Sequence, residues 1–130
     1  MHQIVLDCEI YKDYFLLAFK DISTGKNKSY ELYDGSDPFP VDEVMQIMEG
    51  CETVSFNGLK FDLPLITLAC KGWDAKGLKM IANKIIVDEE TVWNLERQFN
   101  FKTMKYPDIK HIDLMEVKVG DGSLKILGGR

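Results

Sequence analysis

The spacing of apolar residues lengthens partway along this chain, from the period of a strand to that of a helix, and that change restricts the folds open to it. Ile4, Leu6 and Cys8 alternate with Val5 and Asp7, and Tyr14 to Phe19 is dense in aromatic and aliphatic residues. Lys28 to Tyr33 resumes the strand pattern after a Gly-bearing turn over Asp21 to Asn27. The three runs predict an antiparallel meander. Its first strand ends near Glu9 and, being almost continuously apolar, is expected at the centre of a sheet covered on both faces. Beyond Pro38 and Pro40 the period lengthens: Val41, Val44, Met45 and Met48 recur at helical spacing, and Gly50 offers a stop.

Glu52 to Phe56 reads as a short buried strand that runs into Asn57-Gly58, and a helix is predicted from Asp62 to Cys70. Pro64 falls in its first turn, where a missing N–H costs little. Leu78, Ile81, Ala82, Ile85 and Ile86 mark another helix, Val92 to Phe99 a short one, and His111 to Met115 a further strand. Asp121-Gly122 reads as a turn, with Ser123 capping Leu124-Lys125-Ile126-Leu127. This order predicts an α/β fold: an RNase H-like mixed sheet with flanking helices, its first strand central and its C-terminal part incomplete.

The 130 residues, 45% hydrophobic and without repeats, are expected to form a single domain over 1–130. No apolar run approaches the ~20 residues needed to span a bilayer. Met1-His2-Gln3 leads into a strand rather than a signal peptide, so a cytoplasmic protein without membrane contact is expected. Cys8, Cys51 and Cys70 are odd in number and widely spaced, which supports neither a disulfide framework nor a zinc site. A net charge of -5 argues against a broad basic surface for nucleic acid, although a site that recruits divalent cations still accepts phosphates.

The chemistry lies in three acids. On a strand Asp7 and Glu9 project to one face and Cys8 to the other. Asp62 stands at the mouth of a predicted helix, where a carboxylate either caps backbone N–H groups or reaches a metal. Two-metal phosphodiester hydrolysis requires oxygen ligands that hold divalent ions ~3.5–4 Å apart, and clustered carboxylates meet that requirement.

In these motifs the chain resembles the DEDD (DnaQ-like) family of 3'-5' exonucleases, in particular the proofreading exonucleases found with phage DNA polymerases. Asp7-Cys8-Glu9 is similar to the family's Asp-x-Glu motif, and Asn57-Gly58-Leu59-Lys60-Phe61-Asp62 to its Asn-x-x-x-Phe-Asp motif, in the family's order. Asp113-Leu114, Ser123-Leu124-Lys125 and Gly128-Gly129-Arg130 resemble the stretch before the third motif. The third motif itself, a Tyr or His followed by a fourth metal-binding Asp, is not among these residues.

The resemblance implies that Asp7, Glu9 and Asp62 are catalytic metal ligands for two Mg2+ or Mn2+ ions, and that Asn57 and Phe61 shape the nucleotide pocket. It implies a substrate of single-stranded DNA or DNA 3' ends, and as partner a DNA polymerase or a complementary chain carrying the last motif. Without a residue to orient the attacking water, weak or no activity is expected of this chain alone. The alternative is a catalytically silent exonuclease-like module that binds DNA or a protein.

His111, at the start of a predicted strand, is expected to be structural or exposed rather than a replacement base. Asp113 is expected to be structural rather than a ligand. Trp73, Trp93, Phe99 and Phe101 are expected in a core or interface rather than stacked on bases, and Lys76, Lys79 and Lys84 in solvent.

Overall fold

A computed structural model describes residues 2–105 and 107–115; the turn at Asp121-Gly122 and the element from Ser123 onward lie outside the described residues. The meander forms as the alternation requires. β1 (Gln3–Tyr11), β2 (Tyr14–Asp21) and β3 (Asn27–Tyr33) pair antiparallel in sequence order. After α1 (Val41–Gly50), β4 (Glu52–Ser55) pairs parallel to β1. Three helices follow, α2 (Asp62–Cys70), α3 (Ala75–Ile86) and α4 (Val92–Phe99), and then β5 (His111–Asp113), parallel to β4. The result is an α/β fold with a five-stranded mixed sheet in the order β3-β2-β1-β4-β5, and β1 is its central strand.

The period of two along β1 and β2 sends Leu6, Cys8, Phe15, Leu17 and Phe19 to one face, where all are buried. α3 packs against β1 and β2 there, presenting Leu78, Ile81 and Ala82, while α1 brings Val44 and Met48 to the core and lies against β4. α2 packs against α3 and is buried along its length from Asp62 to Ala69. An apolar stripe on one side would not suit that position, and Leu63-Pro64-Leu65-Ile66 is accordingly apolar all round. Thr67 ties the next segment to it: its hydroxyl donates to the Leu63 carbonyl at 2.7 Å and accepts the Met104 N–H at 3.1 Å.

The expectation that β1 is covered on both faces is corrected. Val5 is 37% exposed, and Asp7, Glu9 and Tyr11 on the same face are exposed with it. Two carboxylates on that face make it costly to bury, since each would have to shed its hydration or its charge. Among the described residues no helix is long and apolar enough to cross a membrane.

Candidate functional site

The segment Asn57-Gly58-Leu59-Lys60-Phe61-Asp62 leaves β4 and enters α2, and its conformation fixes where Asp62 points. Asn57 takes a left-handed conformation at φ 68°, a region that Asn tolerates better than most residues. The Gly58 carbonyl accepts the Leu63 N–H at 2.7 Å and the Phe61 N–H at 3.3 Å, so backbone oxygen satisfies donors at the helix start that a capping side chain would otherwise meet. Pro64 removes one further donor from the first turn. Asp62 is thereby released from capping, and among the described residues its carboxylate accepts no hydrogen bond.

Two packing features hold this loop. A Cβ on Gly58 would lie 2.0 Å from Ser55 Oγ and 3.2 Å from His111 Nε2, so only glycine allows the loop to pass so close to β4 and β5. Gly58→Ala is expected to destabilise the fold by about 1–3 kcal/mol, the usual cost of forcing atoms into filled space. Urea unfolding checks this, and an unchanged midpoint would contradict the close approach.

The second feature is Asp113, buried at the end of β5. Its Oδ1 accepts the N–H groups of Asn57 at 2.8 Å and Met115 at 2.9 Å, and its Oδ2 accepts that of Leu59 at 3.0 Å. Asp113 therefore braces the motif loop from behind, the structural role expected of it. Which loop it braces was hidden in the sequence, because its partners are backbone groups more than fifty residues away.

His111 is also committed. Its Nδ1 lies 2.6 Å from Thr53 Oγ1 and its Nε2 2.7 Å from Ser55 Oγ. Thr53 Oγ1 has the Lys110 carbonyl within 3.4 Å to donate to, which leaves it to accept from Nδ1–H, while Ser55 donates to Nε2. Burial lowers the His111 pKa and favours this neutral form. The ring latches β5 to β4 and has no free nitrogen with which to take a proton from water.

Asp62 and Asp7 meet in one cleft of about 390 Å³, which Asn57 and Phe61 also line and which Ile85 and Ile86 of α3 close from the side. Asp62 is only 5% exposed. Burial, with the charges of Asp7 and Asp113 adding to it, pushes its pKa up to about 7. Asp7, more open to water, is raised by burial and then by Glu9. Cys8, buried and also lining the cleft, is held as a thiol by burial and by the charges of Asp62 and Asp7.

Of the sequence-predicted residues, the fold thus joins Asp7, Asp62, Asn57 and Phe61. Glu9 projects from the same face of β1 as Asp7, two residues or ~6.6 Å along the strand, and does not line the cleft. Among the described residues no group of three or more His, Cys, Asp and Glu side chains is placed to hold a metal ion. What remains is a pair of mutually repelling carboxylates in a partly dry cleft, with a third acid beside them. Hard divalent cations prefer such oxygen donors, and a cation there would relieve the repulsion.

The aromatic residues divide. Phe101 is buried, and Trp73 meets Phe99 edge-on at 5.5 Å, as expected of core residues. Trp93 departs from that expectation at 62% exposure. α4 is short: Leu95 is buried and Phe99 partly so against the core, which leaves Trp93 exposed. Lys84 pairs with Glu90 at 3.4 Å, and Lys76 is exposed. No protein-family model, curated protein or solved structure matches this chain.

Proposed function

We propose that the Asp7–Asp62 cleft is the metal-dependent site of an RNase H-like 3'-5' exonuclease domain that acts on single-stranded or frayed DNA 3' ends. The observation that carries this reading is the release of Asp62 from helix capping, so that a buried carboxylate faces Asp7 across a cleft. The strand order β3-β2-β1-β4-β5, with the two acids of Asp7-Cys8-Glu9 on the central strand, is the placement an RNase H-like sheet would give them. Asp7 and Asp62, with Glu9 beside them, would hold Mg2+ or Mn2+. When bound, such ions activate a water and stabilise the leaving oxygen of a phosphodiester.

This chain's own residues do the rest. The Asp62 carboxyl gives up its proton as the site fills, Asn57 and Phe61 position the terminal nucleotide, and Asp113 keeps their loop from moving. Among the described residues the cleft has no Tyr or His to accept a proton from water, and general-base assistance is typically worth ~10²–10⁴-fold, so turnover is expected to be slow.

A 5'-labelled single strand incubated with manganese tests the reading. Stepwise shortening from the 3' end that disappears in Asp7→Ala and in Asp62→Asn is the expected result. Shortening that survives both substitutions would contradict it, and DNA bound but never shortened would favour the silent module.

A further inference from the structure

A second cavity, of about 680 Å³, opens beside the carboxylate cleft and shares Asn57 and Ile85 with it. Its walls come from the motif loop, from α4 and from the segment that follows α4. Trp93 stands in this wall 62% exposed, with the Arg97 guanidinium 4.7 Å from the ring centre on one side. A large indole held in water beside a cavity leaves apolar area for a flat ligand to cover.

Thr103, in the same wall, is 3% exposed, and its buried Oγ1 has no hydrogen-bond partner among the described residues. Buried hydroxyls are ordinarily paired, so an orphan in a cavity wall points to a ligand group. Lys60 and Lys105 line the cavity, are exposed, and make no ion pair among the described residues. Three glutamates also line the cavity: Glu90 pairs with Lys84 at 3.4 Å, Glu96 accepts the Thr103 N–H at 2.8 Å, and Glu89 is exposed.

We propose that this cavity takes the base of the second nucleotide of a single DNA strand whose 3'-terminal nucleotide lies at Asp7 and Asp62. The base stacks on Trp93, its edge meets the Thr103 hydroxyl, and the backbone passes Lys60 and Lys105. An indole platform is tolerant of sequence, because every base has a π-face. The choice of DNA strand rests on the exonuclease reading; the cavity and its walls do not.

The test uses the full chain uniformly labelled with 15N, titrated with pentathymidylate in calcium, and with thymidine monophosphate alone. Pentathymidylate is expected to move the Trp93 indole and the Thr103 amide saturably and to leave Trp73 in place. The mononucleotide is expected to move Asn57 and Phe61 but not Trp93. Trp93→Ala, at an exposed position, should weaken pentathymidylate binding about 5- to 100-fold, and Thr103→Val, of nearly equal shape, by a smaller factor.

An unmoved Trp93 at saturation, parental affinity in Trp93→Ala, or a Trp93 shift as large with the mononucleotide would each overturn the assignment. Were Asp7→Ala and Asp62→Asn to leave shortening unchanged while Trp93 still responded, the nuclease reading alone would fall. Loss of shortening in those variants with a silent Trp93 would remove only the second-base assignment.

Discussion

In metal-free buffer at pH 8, Asp62→Asn is expected to be more stable than the parent protein by about 2–4 kcal/mol. Asp62 titrates near 7 in the folded chain and at the ordinary 3.8 when unfolded, because burial and the charges of Asp7 and Asp113 oppose its ionised form. A carboxyl whose folded pKa is raised contributes fully only below the unfolded value, and the contribution disappears as pH climbs through the folded one. The loss therefore runs from about pH 4 to pH 7. At ~1.4 kcal/mol per unit, a rise of about three units sets a ceiling near 4 kcal/mol.

Asparagine carries no charge to desolvate, so its advantage should be greatest at pH 8 and shrink toward zero at pH 4. Urea unfolding in EDTA at the two pH values checks it. Equal stability of variant and parent at pH 8 would mean that Asp62 is not held against its preference. Magnesium or manganese should invert the order by binding the parent and raising its melting temperature at pH 8, but not that of Asp62→Asn.

The opposite sign is expected at Asp113. Asp113→Ala removes the acceptor for three backbone N–H groups, those of Asn57, Leu59 and Met115, two of which belong to the motif loop. Hydrogen bonds to a charged group are worth ~1.5–3 kcal/mol each, and a buried donor left alone adds its own penalty. A loss of about 3–5 kcal/mol is expected, from cooperative unfolding in urea, together with weaker cation binding at a site Asp113 does not line. A stability within ~0.5 kcal/mol of the parent would show that the loop does not depend on this brace.

These two aspartates also mark how far the sequence could be read. α2 begins and ends where Asp62, Pro64 and Cys70 predict, and α4 spans the expected Val92–Phe99, because local punctuation decides both. β1 instead runs on to Tyr11, where it pairs with Tyr14 across a turn at Lys12-Asp13. That turn has none of the Asn-Gly or Gly-Gly signals by which two-residue hairpin turns are recognised. α3 starts at Ala75, earlier than its apolar stripe, because Asp74 caps it through the Gly77 N–H at 2.8 Å.

At the site, alternation places Asp7 and Glu9 on one face; all three acids are expected to converge on one cleft, and Asp7 and Asp62 line it whereas Glu9 does not. The release of Asp62 from its helix was not legible, since the Gly58 carbonyl that frees it is a backbone atom without a sequence signature. Trp93 departs from its expected place for a related reason: whether an apolar residue on a short helix turns inward depends on the neighbouring surface, which Leu95 and Phe99 find and Trp93 does not.

Calorimetric titration of the full chain with manganese at pH 7.5, repeated for Asp7→Ala and Asp62→Ala, tests most directly whether the cleft is a shared cation site. Saturable binding to the parent protein, lost in each variant, is the predicted result. Binding of the same stoichiometry and affinity in both variants would contradict it.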